Sequence, residues 1–183
     1  MKNTLIPHDH DLLHQPCKKV SRWRGKRIAK QLIKEIKNNK PICIGMAANQ
    51  IGISYRVAVV HINPNDEPLI LINPEIIEKD YPIRADSEGC MSFPKKQKKV
   101  VRYGWIKVKT ATGTFESGSV RPKYSEYLKT IAIQHEIDHL NGITIMEKAL
   151  QPITGRKEPK RNSPCYCGSK KKYKRCCMLK NKE

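Results

Sequence analysis

The spacing of apolar residues predicts two helices. Within residues 26–38 apolar side chains recur every four positions among mainly basic ones, which predicts a helix with a basic outer face. The recurring residues are Ile28, Leu32 and Ile36. A second helix is predicted over 125–142, with Ser125 as its N-cap and Gly142 as its stop.

Runs of β-branched residues between these helices predict strands. Residues 55–62 and 67–77 are flanked by Pro, Asn and Asp, so both are predicted to be strands. Residues 105–112 alternate between apolar and basic side chains. That alternation predicts a half-exposed strand, followed by a turn at Thr112 and Gly113.

Length and composition limit the class of protein. The 183 residues suit one globular domain with a small appendage, and 38% hydrophobic residues suffice for a core if part of the chain lies outside it. No stretch approaches the roughly 18 apolar residues of a membrane span. The first residues also lack the apolar run of a signal peptide. We therefore expect a cytoplasmic protein without a membrane partner.

Positive charge is concentrated near the C-terminal end. The formal net charge is +19, and residues 155–183 hold 11 Lys and Arg against 2 Asp and Glu. This density favours a polyanionic partner such as RNA or the ribosome, with a solvated basic tail as the alternative. The polar segment 155–160 is predicted to be a linker.

The chain has seven cysteines, an odd number that argues against a disulfide framework. Four of them follow the spacing C-x-C-x8-C-C, which suits a closed structural zinc site. These four are Cys165, Cys167, Cys176 and Cys177. A disordered, cysteine-rich basic tail is the alternative.

The second predicted helix carries an HExxH arrangement. His135 and His139 lie one turn apart on the predicted apolar stripe, so the two imidazoles can share one metal ion. Glu136 projects beside that ion as a carboxylate for proton transfer. Two hydrogen-bonded core histidines are the alternative. The stripe also contains Leu128, Ile131 and Ala132.

A catalytic metal site needs a third protein ligand and an open position. Downstream of the helix the chain offers only Glu147 before the linker, whereas Cys90 is the upstream candidate. Cys90 lies in SEGCMSFP, a segment predicted to follow the strands. Asp138 is predicted to orient a histidine ring or an arginine rather than to bind the ion.

Three segments resemble the ordered motifs of the bacterial peptide deformylases. They are IGMAANQIG (44–52), EGCMS (88–92) and QHEIDHLNG (134–142). The resemblance covers roughly residues 1–150 and implies an α+β fold, with antiparallel or mixed sheets packed around a central HExxH helix. It also implies hydrolytic removal of the formyl group from the formyl-methionine of nascent polypeptides, with release of formate.

The resemblance assigns roles to the metal-binding and catalytic residues. Cys90, His135 and His139 bind a catalytic divalent ion, Fe²⁺ in the cell, with Zn²⁺, Ni²⁺ or Co²⁺ also possible. Glu136 accepts a proton from the attacking water and later delivers it to the leaving amine. The oxyanion donors are the side-chain amide of Gln50 and the backbone N–H of Met91.

Substrate contacts are implied for Gly45, Met46 and Leu128. The sequence departs from the family at Cys43, where a Gly is usual, and at Asn49, where a Pro is usual. It also has Gln97 where the family often has an Arg that lines the substrate pocket. A family Arg near the core sheet is retained as Arg102, which is expected to be structural. These residues are present in the chain at the numbers given.

The segment 161–177 resembles the SEC-C motif, although Tyr166 and Lys170 replace its usual Pro and Gly. The resemblance implies one structural Zn²⁺ and a docking role toward the ribosome or a partner protein. The expected organisation is a deformylase domain (1–154), the linker, and a zinc-binding motif (161–183). Two alternatives remain: an HExxH metallopeptidase of other specificity, and a non-catalytic ribosome or RNA binder on this fold.

Overall fold

The computed structural model describes residues 5–39, 43–119, 123–149, 161–162 and 172–175. The helices in these ranges are α1 (Arg22–Asn38), α2 (Tyr124–Leu140) and α3 (Ile145–Lys148). The strands are β1 (Gly45–Ala47), β2 (Val57–Val60), β3 (Leu69–Ile72), β4 (Glu75–Cys90), β5 (Phe93–Thr110) and β6 (Gly113–Gly118). Short 3-10 helices span Asp11–Leu13, Ala48–Ile51 and Tyr173–Arg175. Among these helices, none is both long and apolar enough to cross a membrane.

The strands form two antiparallel sheets of three strands each, in the orders β1-β2-β3 and β4-β5-β6. In the second sheet β4 and β5 make one long hairpin, whose turn lies between the paired residues Cys90 and Phe93. In the first sheet β1 is an edge strand, and within the described ranges it pairs with β2 alone. These two features bring the hairpin turn and the open edge into the walls of one cavity.

Helix α2 lies between the two sheets and contacts strands of both. Its core neighbours include Ala58 and Val60 from the first sheet and Ile106 and Val108 from the second. Because both sheets cover it, almost every residue from Thr130 to Leu140 is buried. The predicted α+β architecture around a central HExxH helix is therefore confirmed.

Helix α1 covers the other face of the first sheet. Along β2, Ala58 and Val60 face α2, whereas Val57 and Val59 face α1, as the two-residue period of a strand requires. The predicted stripe of α1 is buried against this face; its members are Ile28, Leu32 and Ile36. Burial on both faces explains why β2 is uniformly apolar.

Both helix starts differ from prediction. Helix α1 begins at Arg22, because the side chain of Ser21 accepts a hydrogen bond from the backbone of Arg24 and caps the helix. Helix α2 begins at Tyr124 after Lys123, so Ser125 lies inside the helix and is not its N-cap. The predicted stop is confirmed, because Gly142 follows α2 with a φ of +74°.

The strands also differ from prediction in extent. The predicted strand 67–77 is divided into β3 and the start of β4, because Asn73 has a φ of +51° and turns the chain there. Residues 105–110 of the predicted strand 105–112 are the last part of the 18-residue β5, and residues 111 and 112 lie in the turn that follows it. Cys90 ends β4 and does not lie in a segment after the strands.

Candidate active site

Three side chains with metal-binding chemistry converge beside α2. Cys90 is placed by the end of β4, and His135 and His139 by successive turns of α2. The Nε2 atoms of the two histidines are 3.1 Å apart, and the Sγ of Cys90 is 3.2 Å from Nε2 of His139. All three candidate ligand atoms lie within 4.8 Å of one another.

The donor set fits a divalent ion. Burial lowers the pKa of His139 well below its usual value, so its imidazole is neutral and offers a lone pair. Burial also acts to lower the pKa of His135, but its contacts with Cys90 and Glu88 raise it, so this imidazole must release a proton to bind an ion. One thiol and two imidazoles from a strand end and a helix match the three-ligand sets of catalytic zinc-type sites. The alternative third ligand, Glu147, instead accepts hydrogen bonds from Thr144 in the capping box of α3. It also lies 3.0 Å from Nδ1 of His14.

Glu136 lies in the same enclosure with only 3% of its surface exposed. Burial raises its pKa to about 7. Among the described residues, no group hydrogen-bonds its Oε2 atom. A buried carboxylate oxygen without a protein partner is costly, so this atom is suited to bind water or substrate.

Gly45 makes room for this carboxylate. A Cβ on Gly45 would lie 2.5 Å from Oε1 of Glu136, closer than real Cβ contacts. The absence of a side chain at this position of β1 therefore allows Glu136 its buried conformation.

Gln50 is held by hydrogen bonds at both ends of its amide. Its Oε1 accepts from the backbone of Ala47 at 2.9 Å, and its Nε2 donates to Oγ of Ser92 at 3.0 Å. The same Nε2 lies 3.8 Å from Sγ of Cys90. The amide donor thus faces the converging ligands and is fixed before any ligand binds.

A buried charge network supports His135. Glu88 accepts from Nδ1 of His135 at 2.7 Å and from Nε of Arg102 at 2.9 Å. Arg102, only 2% exposed, also pairs with Asp138, which in turn lies 3.4 Å from Nζ of Lys148. Burial alone would raise the pKa of Glu88, but hydrogen bonds from Arg102 and His135 lower it to about 2. Glu88 therefore stays ionised and holds the His135 ring.

The role of Glu88 was not predicted, although it opens the EGCMS segment. The signal was available, because a carboxylate two residues before a ligand cysteine is a candidate partner for a ligand histidine. Asp138 orients an arginine, which is one of the two roles predicted for it. Arg102 pairs with the buried carboxylate of Glu88 and the partly buried carboxylate of Asp138, which fits the predicted structural role.

A cavity of ≈ 850 Å³ opens onto these groups. Its apolar walls come from both sheets and from α2, and its rim carries cations. The apolar lining includes Ile44, Met91, Phe93, Leu128 and Ile131. The volume is in the range of small-molecule and peptide pockets.

Two predicted substrate contacts line this cavity and one does not. Gly45 and Leu128 are in its wall. Met46 is fully buried in the core beneath α1 and is absent from the cavity wall. Consecutive residues of a strand face opposite sides, so the side chain of Met46 points into the core, and its predicted contact with substrate stays a prediction.

The departures from the family each have a structural consequence. Cys43 is buried in the cavity wall, where its thiol donates to the carbonyl of Gly45 at 3.2 Å. Asn49 donates to the carbonyl of His139 at 2.7 Å and so joins the first motif to the end of α2. Gln97 lacks the family charge, but Lys95 and Lys96 line the same rim.

The four cysteines of the predicted zinc knot lie outside the described residues. The linker 155–160 also lies outside them.

In this α+β fold, two histidines and a glutamate of the central helix lie beside a cysteine. This combination of fold and site defines the class of metal-dependent hydrolases. The family model for polypeptide deformylase matches residues 2–154, and the chain belongs to this family. A second family model, for the SEC-C motif, matches residues 161–179.

Named relatives agree with this assignment. Peptide deformylase 1 of Bacillus anthracis is 36% identical over 146 residues, which are 79% of this chain and 90% of the relative. The peptide deformylase of Prochlorococcus marinus strain MIT 9312 is 35% identical over 153 residues, 81% of this chain and 74% of the relative.

Solved structures match the same part of the chain. The peptide deformylase of Thermotoga maritima superposes with a TM-score of 0.67 at 29% identity, covering 81% of this chain and 97% of that one. The class I type b peptide deformylase of Acinetobacter baumannii with Met-Ala-Ser bound has a TM-score of 0.62 at 28% identity. That match covers 79% of this chain and 96% of the other.

Replacing Gly45 by Ala should lower catalytic turnover while the metal content stays unchanged. The added methyl group would displace the Glu136 carboxylate, so turnover should fall by at least about tenfold, as for a misplaced catalytic group. Formate release and metal content by mass spectrometry measure the two effects. Gly89→Ala is the matched control, because a Cβ there meets no atom within 4 Å. Equal activity of the two variants would contradict this account of Gly45.

Replacing Arg102 by Met should destabilise the fold strongly. Glu88 would remain buried without its arginine and Asp138 would keep only Lys148, and breaking such a buried pair costs about 3–5 kcal/mol. Urea unfolding measures the loss in the free energy of unfolding. The control is Lys107→Met, whose partner Glu78 is exposed, and it should be nearly neutral. A small effect at Arg102 would show that the buried network contributes little.

Proposed function

We propose that this protein hydrolyses the N-formyl group of formyl-methionyl peptides. The observation that carries the proposal is the convergence of Cys90, His135 and His139 beside the buried Glu136, in a chain of the deformylase family. The products are formate and a peptide with a free amino terminus. A peptide substrate is favoured because the cavity combines an open strand edge with apolar walls.

The substrate adds along the edge of β1. Among the strands that the structure describes, β1 pairs only with β2, so its other edge lies at the cavity and can pair with an extended peptide. The methionine side chain occupies the apolar lining near Ile44, Leu128 and Ile131. The related Acinetobacter baumannii enzyme, solved with Met-Ala-Ser bound, supports a peptide of this class.

Each group in the site has a distinct role in the reaction. A divalent ion on Cys90, His135 and His139 supplies Lewis acidity and a water of lowered pKa. Glu136 takes the proton from the attacking water, because its Oε2 faces the enclosure without a protein partner. The amide of Gln50 and the backbone N–H of Met91 donate to the developing oxyanion.

The proton then travels with the leaving group. When the C–N bond breaks, the amine nitrogen takes the electron pair and receives the proton from Glu136. Formate leaves with the oxygen of the attacking water. Glu88 and Arg102 hold the His135 ring throughout and do not exchange protons with the substrate.

We propose Fe²⁺ as the catalytic ion in the cell. A site with one thiolate and two imidazoles accepts Fe²⁺, Co²⁺, Ni²⁺ or Zn²⁺, so availability and geometry decide occupancy. The cytoplasm, where nascent chains emerge from the ribosome, is the proposed location.

The C-terminal segment is proposed to be a separate zinc knot. The SEC-C match spans its four cysteines, and the backbone of Lys174 donates to the carbonyl of Arg161 at 2.9 Å. This bond joins two points of the chain that each precede a cysteine pair: the first pair begins four residues after Arg161, and the second begins two residues after Lys174. We propose that the knot and its basic surroundings dock the enzyme to the ribosome.

Substitutions in the site should separate binding from catalysis. Glu136→Gln should lower turnover about 10²- to 10⁴-fold with the metal retained, because it removes the proton carrier. Gln50→Ala should lower turnover about 10²- to 10³-fold, because it removes an oxyanion donor. Cys90→Ser should lose both activity and most of the catalytic metal. Formate release from formyl-Met-Ala-Ser by anaerobically prepared protein measures these effects.

The same assay distinguishes the alternatives. An HExxH metallopeptidase that uses another third ligand would keep its metal and activity in Cys90→Ser. A non-catalytic binder would release no formate with Fe²⁺, Ni²⁺ or Co²⁺. Either result would refute the proposed function.

Removing the knot should affect docking and leave the chemistry intact. A Cys176→Ser, Cys177→Ser variant should bind one zinc ion fewer per chain and keep its formate release. In a sedimentation assay at moderate salt, a 1–154 truncation with intact formate release should bind ribosomes more weakly than the full chain. Equal sedimentation of both proteins would exclude a docking role for the knot.

A further inference from the structure

The outer face of α1 carries more unpaired positive charge than any catalytic role requires. Seven Lys and Arg are exposed on this 17-residue helix against one acid, the half-buried Glu35. The seven are Arg22, Arg24, Lys26, Arg27, Lys30, Lys34 and Lys37. None of them forms an ion pair among the residues that the structure describes.

Part of this charge forms one straight row. Arg27, Lys30, Lys34 and Lys37 follow at spacings of three and four, so they lie on one side of the helix, about 5–6 Å apart. The row points away from the core, because the opposite side buries Ile28, Leu32 and Ile36. Cations in such a row can contact negative charges that follow one another along a line.

An aromatic side chain begins the row. Trp23 lies one turn before Arg27 and is 69% exposed, which is unusual for so large an apolar side chain in a monomer. The guanidinium of Arg27 lies 5.0 Å from the centre of the Trp23 ring. Next to it, the guanidinium of Arg24 lies 4.3 Å over the ring of Tyr55. Stacked Arg and aromatic groups among cations are the chemistry that binds unpaired bases together with phosphates.

We infer that this surface, the basic face of α1, binds single-stranded RNA or the unpaired loops of a folded RNA. The cations of the row contact successive phosphates, and Trp23 stacks on a base. An anionic membrane fits less well, because the apolar side of α1 is committed to the core and only Trp23 remains to enter lipid. The surface is distinct from the cavity, since none of its residues lines the cavity wall.

The test uses the full chain and a fluorescently labelled, unstructured RNA of about 16 nucleotides. The row variant is Arg27→Gln, Lys30→Gln, Lys34→Gln. The control variant is Lys99→Gln, Lys109→Gln, Lys129→Gln, which removes three exposed lysines from other elements. Anisotropy titrations at several salt concentrations give the binding constant and its salt dependence. The row variant should release formate at the same rate as the parent protein.

The row variant should bind more weakly, and its slope of log K against log salt should be smaller by roughly 0.7 for each lost phosphate contact. The control variant should keep both values near those of the parent. If both triple variants show the same loss of RNA affinity and the same decrease in salt dependence, the positive charge of the protein acts without a defined binding site, and the inference is wrong.

Stacking is tested separately through Trp23. In a Trp105→Phe background Trp23 is the only tryptophan of the chain, so its emission reports on this surface. RNA should quench the emission with the affinity seen by anisotropy, and Trp23→Ala should weaken binding on the order of tenfold. Equal quenching by polyglutamate, which has charge but no bases, would overturn the inference. Tighter binding to vesicles of anionic lipid than to RNA would do so as well.

Discussion

Burial of a polar helix is the constraint on which the rest of this structure depends. Helix α2 lies between two sheets, yet it carries His135, Glu136, Asp138 and His139 into that interior. Buried polar groups are costly unless they are partnered. The surrounding structure supplies partners for most of these groups, and among the described residues Oε2 of Glu136 is a buried oxygen that is left without one.

The surroundings of the site follow from this constraint. The long β4–β5 hairpin brings Cys90, Glu88 and Arg102 to one side of α2. Arg102 neutralises carboxylates on two elements at once, so the position of the His135 ring is tied to the stability of the fold. On the other side, the missing side chain of Gly45 leaves the space in which Glu136 is buried. Stability and chemistry are therefore coupled through few residues.

The sequence predicted the periodic and motif-bearing parts best. The stripe of α1 and the end of α2 at Gly142 were found, because burial imposes a period and a stop signal is local. The α+β class was implied by the resemblance of three motifs to the deformylases. The middle of the β4–β5 hairpin was missed: residues 78–104 are largely polar, and their strand character comes from pairing, which no local pattern records. The motif also did not indicate that the side chain of Met46 faces the core, because alternate side chains of a strand point to opposite faces.

The central claim is that one ion is held by Cys90, His135 and His139 in an open site. X-ray absorption at the iron edge tests it, on Fe²⁺-loaded protein that carries Cys176→Ser and Cys177→Ser so that the tail supplies no competing thiolate set. We predict one sulfur in the first coordination shell together with imidazole scattering. In the added Cys90→Ser variant we predict loss of most of the bound iron and no sulfur signal from the iron that remains. A shell of nitrogen and oxygen alone, unchanged by Cys90→Ser, would contradict the claim.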